Sequence, residues 1–132
     1  MSPCRVNNLS KLSVISIIDD DALIRAATAN FVRSLGYVVQ VCASAEEFLR
    51  SADLNSTACV IADVQMPVMT GTELQSHLRA QGNRVPFIFI TAFHDESLRA
   101  QALKAGAICF LSKPVDGQIL IECVYKALNK PN

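Results

Sequence analysis

The stretch Ala58-Cys59-Val60-Ile61-Ala62-Asp63-Val64-Gln65-Met66-Pro67 decides how the chain folds and where its chemistry is to be sought. A short apolar run ends in a carboxylate, and Pro67 and Gly71 follow at once. An uninterrupted run of this length reads as a strand buried on both faces, with Asp63 where the strand opens into a loop. Three other apolar runs end in the same way. Val14 to Ile18 leads into Asp19-Asp20-Asp21, Phe87 to Ile90 into Thr91, and Ile108 to Leu111 towards Lys113. In a parallel sheet every strand points the same way, so these polar residues meet at one edge.

Working outward, strand-length apolar runs alternate with segments of helical period. Strands are expected at Val14–Ile18, Val38–Cys42, Ala58–Ala62, Phe87–Ile90 and Ile108–Leu111, and helices at Ala22–Leu35, Ala45–Arg50, Gly71–Ala80, Glu96–Ala105 and Gln118–Leu128. That order implies an α/β fold, a parallel sheet with helices on both faces. Ile24, Ala27, Phe31 and Leu35 form an apolar stripe on the first helix; Leu120, Cys123, Val124, Ala127 and Leu128 form one on the last. Ser44 with Glu47 and Thr70 with Glu73 have capping-box spacing, Asp95 and Asp116 suit N-caps, and Gly36, Gly82 and Gly106 follow helix ends. Gln40 interrupts the second strand and suits an edge position; the other strands read as central or more deeply buried.

With 132 residues the chain forms one domain. Residues 1–12 read as a frayed tail, 13–129 as the domain, and 130–132 as a C-terminal end where a longer protein could have been trimmed before an output domain. Twelve basic residues balance twelve acidic ones, which argues against holding nucleic acid or an anionic membrane by charge. No apolar run approaches the roughly 20 residues of a bilayer span, and Met1 to Leu12 has no signal-peptide core, so a cytoplasmic location is expected. Five cysteines include no C-x-x-C pair; Cys42, Cys59, Cys109 and Cys123 read as small hydrophobes, and Cys4 as a tail thiol. His77 and His94 lack a second ligand at metal spacing and read as solvent-exposed.

The edge residues have a shared chemistry. Asp19, Asp20 and Asp63 together would repel one another and raise each other's proton affinity unless a cation joined them. Mg²⁺ (or Mn²⁺) suits such a site, because it takes one or two carboxylates and keeps waters that a phosphate can replace. Lys113 could hold a phosphoryl oxygen and Thr91 could donate a hydroxyl to one. A nucleophile, a metal and fixed donors are what phosphoryl transfer to a carboxylate needs.

These motifs, Ile18-Asp19-Asp20-Asp21, Asp63 through Gly71, Ile90-Thr91-Ala92 and Leu111-Ser112-Lys113-Pro114, resemble those of a two-component response-regulator receiver domain of the CheY-like superfamily over about residues 13 to 129. The resemblance implies a flavodoxin-like (βα)5 doubly wound sheet with strand order 2-1-3-4-5. It implies that Asp63 is phosphorylated by a sensor histidine kinase or phosphotransfer protein. It makes Asp19, Asp20, Asp63 and the Gln65 backbone carbonyl the Mg²⁺ ligands, Lys113 the partner of the phosphoryl group, and the bond to Pro114 cis. Thr91 and Phe110 resemble the switch pair, which would remodel the face of the fourth helix, fifth strand and fifth helix and could produce a phosphorylation-dependent homodimer. The pattern Ser44-Ala45-Glu46-Glu47-Phe48-Leu49 is similar to receivers of the FixJ and NarL type, which usually precede a helix-turn-helix domain in transcription regulation. Gln65 and Phe93 depart from common family choices and flank the path of attacking water, which points to a longer-lived phosphorylated state.

Two other readings use the same residues. An aspartate-nucleophile phosphohydrolase would employ Asp19 and Asp21, two residues apart, but would leave Asp63 idle and needs a cap domain. A non-phosphorylated interaction module would keep the fold alone. Turnover of a generic phosphate ester separates the first from a signalling receiver, which catalyses only its own phosphoryl transfer and slow autodephosphorylation.

Overall fold

Every helix begins on a side chain that caps it, and every strand ends within a residue or two of its apolar run. A computed structural model describes residues 13–51, 54–93 and 95–129. Strands β1 (Val14–Ile18), β2 (Val38–Cys42), β3 (Thr57–Asp63), β4 (Phe87–Thr91) and β5 (Cys109–Ser112) alternate with helices α1 (Ala22–Ser34), α2 (Ala45–Leu49), α3 (Gly71–Ala80), α4 (Glu96–Lys104) and α5 (Gly117–Leu128). All pairings are parallel and the order is β2-β1-β3-β4-β5. This is the doubly wound, flavodoxin-like arrangement expected from the sequence.

The caps explain the helix starts. Asp21 accepts the N–H groups of Leu23 and Ile24, Asp95 that of Leu98, and Asp116 those of Gln118 and Ile119. Each cap is worth typically about 1 kcal/mol. Thr70 and Glu73 form a full capping box. Ser44 caps α2 through the Glu47 N–H, whereas the Glu47 carboxylate reaches the N–H of Ala43 instead of returning to Ser44. Gly36, Gly82 and Gly106 have φ of 99°, 81° and 103°, a left-handed region that costs a side-chain-bearing residue and suits glycine after a helix.

Alternate residues of β3 divide between two cores, because successive side chains of a strand point to opposite faces. Cys59 and Ile61 join Ile15, Ile17, Val32, Ile88 and Val124 on the side of α1 and α5. Val60 and Ala62 join Ile18, Phe48, Leu74, Leu78 and Phe89 on the side of α2, α3 and α4. A polar chain crosses the sheet as well: Gln40 donates to the Ser16 hydroxyl at 3.0 Å, which lies 2.7 Å from that of Thr57. The polarity of β2 therefore reflects both its edge position and a partner on its neighbour.

Three further sequence expectations need correction. On α1 the buried residues are Ala29 and Val32, while Ala27 is exposed and Ile24, Phe31 and Leu35 are only half-buried. The apolar surface of α1 is wider than one stripe, and the flank bearing Ile24, Ala27 and Phe31 borders a cleft beside α5. Strand β5 is a second edge, half-buried over Cys109 to Leu111 with Ser112 exposed, rather than a deeply buried strand. Cys109 and Cys123 are not free small hydrophobes; they are joined in a disulfide across β5 and α5, which only the fold brings together. Cys42 and Cys59 are buried, as expected, and take no part in the disulfide. His77 is exposed; Cys4, His94 and the tail read at residues 1–12 lie outside the described residues.

Candidate functional site

Asp63 is the last residue of β3, in register with Ile90, and Thr91 is the last of β4, in register with Ser112. Asp19 and Lys113 each stand one residue beyond a strand, β1 and β5. Backbone hydrogen bonds carry the sheet pattern past the strand ends: the Asp19 N–H donates to Cys42 O at 3.2 Å and the Lys113 N–H to Thr91 O at 2.8 Å. The convergence seen in the sequence is thus built by parallel pairing itself.

The two buried carboxylates are held alike. One oxygen of each accepts a backbone N–H two residues on, Asp21 to Asp19 at 2.9 Å and Gln65 to Asp63 at 3.0 Å. The other oxygen of each accepts from Lys113 Nζ, at 3.1 Å for Asp19 and 2.9 Å for Asp63. Asp20 is exposed, and oxygens of Asp19, Asp20 and Asp63 lie within 4.8 Å of one another. Burial pushes the Asp19 carboxyl up; bonds from Asp21 and Lys113 oppose the rise and the neighbouring Asp63 charge adds to it. Burial disfavours the charge on Lys113, but hydrogen bonds and attraction from Asp63 and Asp19 together outweigh it and hold the ammonium above its ordinary range. The site is an acidic pocket bridged by one internal cation.

Thr91 is fully buried but does not join this network; its hydroxyl accepts the Phe93 N–H at 3.1 Å. Phe110 lies away from the carboxylates, half-buried on the opposite side of β5 from Cys109 and tilted against Phe89 with ring centroids 6.3 Å apart. The Lys113–Pro114 peptide bond is cis. Gln65 and Phe93 are both exposed at the rim. Asp21 is committed to capping α1, which removes it from the role a phosphohydrolase would require.

Two contributors escaped the sequence reading. Arg25 donates to the Asp19 carbonyl at 2.7 Å and ties the β1–α1 loop to the helix; its only signal was a place one turn after the cap. Gly71 begins α3 against the site itself: a Cβ there would lie 2.5 Å from the Asp63 carbonyl oxygen and 3.0 Å from the Phe89 ring. A glycine after the loop that follows Asp63 was visible, but not the close approach that requires it.

The fold and pocket define a class, a doubly wound α/β domain with an acidic, lysine-bridged strand-end site. The chain belongs to the response regulator receiver domain family, whose family model matches residues 15–125. It is 37% identical over 118 residues to the response regulator protein TodT of Pseudomonas putida, covering 89% of this chain and 52% of that protein. It is 34% identical over 116 residues to the transcriptional regulatory protein FixJ of Bradyrhizobium diazoefficiens, covering 88% and 57%. Among solved structures, FixJ-N superposes with a TM-score of 0.80 at 30% identity over 90% of this chain and 95% of that one. The response regulator StyR gives 0.81 at 36% identity over 87% and 58%. The chain spans about half the length of the curated relatives it matches.

Proposed function

We propose that the domain is a phosphoacceptor switch, in which Asp63 receives a phosphoryl group from a histidine of a sensor kinase or phosphotransfer protein in the cytoplasm. The observation that carries this reading is Lys113 Nζ bonded to both Asp19 and Asp63 at adjoining strand ends. The donor set is made of hard oxygens, which fits Mg²⁺ (or Mn²⁺) held by Asp19, Asp20, Asp63 and the Gln65 carbonyl. Bound there, the metal supplies charge neutralisation for the transferring oxygens.

This chain's own residues do the rest. The Asp63 oxygen now paired with Lys113 attacks phosphorus as the donor nitrogen leaves, and Lys113 then pairs with the new phosphoryl oxygens. The Thr91 hydroxyl turns from the Phe93 N–H to the phosphoryl group, freeing space for Phe110 to repack. The face of α4, β5 and α5 changes its packing by no more than the phosphoryl group's differential interaction with the two states. Self-association or control of a transcriptional output follows from that face. The half-covered relatives named as regulators support an output outside this domain. Exposed Gln65 and Phe93 shield the acyl phosphate from water.

Intact-mass measurement after incubation with Mg²⁺ and acetyl phosphate tests the reading. The expected outcome is one added phosphoryl group on the natural chain and none on Asp63→Asn, since an amide is no nucleophile. Thr91→Ala should accept the group yet leave light-scattering mass unchanged where the natural chain shifts. Label on another residue, or turnover of a generic phosphate ester, would overturn it.

A further inference from the structure

The mobile face proposed above has a covalent bond running through it. Cys109 on β5 and Cys123 on α5 form a disulfide, with Cα atoms 6.3 Å apart and a sequence separation of 14. Cys109 is half-buried on an edge strand, whereas Cys123 is 4% exposed in the core under α5. Phe110 projects from the other side of the same strand into the opposite core. A bond at Cys109 therefore fixes one face of β5 to α5 directly behind the ring that repacks.

The remaining described thiols lack this exposure. Cys42 and Cys59 are buried and outside the disulfide, and burial pushes the Cys59 thiol up to about 12, which keeps it protonated and unreactive. Thiol–disulfide chemistry among the described residues is thus confined to one pair that straddles the output face.

We propose that Cys109 and Cys123 are a reversible thiol–disulfide site whose oxidised form clamps β5 to α5 and damps the response of that face to phosphorylation. This rests on the phosphoacceptor reading of Asp63. Oxidation proceeds by exchange with a small-molecule disulfide such as oxidised glutathione. The accessible Cys109 thiolate attacks one sulfur and expels the first thiolate. Cys123, having lost its proton, then attacks the mixed disulfide at Cys109 and expels the second. Two protein thiols become one disulfide, and the oxidant takes up the two electrons and two protons as two thiols. Reduction by a dithiol reverses each step.

The test compares the whole chain equilibrated with oxidised glutathione or with dithiothreitol, the bond being assigned by peptide mapping. Each form is treated with Mg²⁺ and acetyl phosphate, followed by intact mass and by amide hydrogen exchange over residues 109–112 and 117–128. Phosphoryl incorporation should be alike in both forms, because the clamp does not touch Asp63. The phosphorylation-dependent change in exchange should be about tenfold larger in the reduced form, as expected when a local opening is released. Cys109→Ser should behave as the reduced form in both buffers; should it fail to fold, Cys123→Ala takes its place. Absence of a Cys109–Cys123 bond in the oxidised sample, or equal exchange responses in the two forms, overturns the clamp. If neither form takes up phosphate, the phosphoacceptor reading fails instead. The clamp is then judged on the untreated chain, where equal exchange in the two forms defeats it.

Discussion

Strands β3 and β5 deliver residues to the same sheet edge, yet they are built differently. Every residue of β3 from Cys59 to Asp63 is buried, with side chains locked into cores on both faces. No residue of β5 is fully buried, and the strand has one neighbour in the sheet. The Asp63 carboxylate thus stands on the most deeply buried strand, while Lys113 and Phe110 are carried by a half-buried edge. On the phosphoacceptor reading proposed above, a site that holds a carboxylate still and reports on its modification needs both kinds of support.

The comparison breaks most visibly under core truncation. Ile61→Ala on β3 should cost about 2–5 kcal/mol, because a fully buried side chain leaves a cavity that the two-sided packing does not close. Leu111→Ala on β5, half-buried, should cost clearly less. Urea unfolding of both variants measures the ratio, and equal losses would show that β5 is as firmly embedded as β3.

Reduction of the disulfide is the next largest effect. Closing a loop of about 15 residues restricts the unfolded chain by about 3 kcal/mol in the chain-entropy account. Dithiothreitol should therefore lower the unfolding free energy by up to that amount, read as a lower urea midpoint. Cys109→Ser should show no further loss on reduction; a natural chain indifferent to reductant would mean that β5 owes nothing to the bond.

How much of this was legible follows from the range of each interaction. Strand-length runs, caps and the glycines after helices are local, so Asp95, Asp116, Gly36 and Gly106 could be read in place. Asp19, Asp63, Thr91 and Lys113 were legible together because parallel order alone sends strand ends to one edge. The Cys109–Cys123 pairing was not, since it joins residues of different elements that only packing brings together. The close approach at Gly71 and the bond of Arg25 were not, because their partners, the backbone carbonyls of Asp63 and Asp19, are placed only by the folded chain. On α1 a broad apolar surface hid which stripe faces the sheet.

The charged pocket sharpens the contrast through pH. Asp19 has its proton affinity raised on folding, so its protonated form favours the folded state. That contribution is complete below the unfolded value, near 3.8, and is lost as pH rises through the higher folded value. In the ionised form at neutral pH, Asp19 therefore opposes folding, and Asp19→Asn in metal-free buffer should melt no lower than the natural chain. Lys113 behaves in the opposite range. Its raised value makes the ammonium stabilising below about 10.5 and lost above it, so alkaline titration should lower the melting temperature less in Lys113→Met than in the natural chain. An Asp19→Asn protein that melts well below the natural chain would show that hydrogen bonding, not the burial of charge, governs the pocket.

The smallest effect concerns the loop that follows β3. Val68 has φ of 70° and is 91% exposed, and the Met69 N–H closes a three-residue turn around it by donating to Pro67 O at 2.8 Å. A positive φ crowds a β-branched side chain against its own backbone, and almost no burial offsets that cost. Asn tolerates this region better, so Val68→Asn should raise stability by about 0.5–1 kcal/mol. The gain should be visible in urea midpoints with an unchanged slope. Because Val68 stands between Asp63 and α3, the same variant also asks whether the turn is only strained or is used. If phosphoryl incorporation from acetyl phosphate is unchanged while transfer from a protein donor falls, the exposed valine is part of the surface that donor touches. If both are unchanged, the strain is a property of the loop alone, and the rigid support of Asp63 on β3 suffices without it.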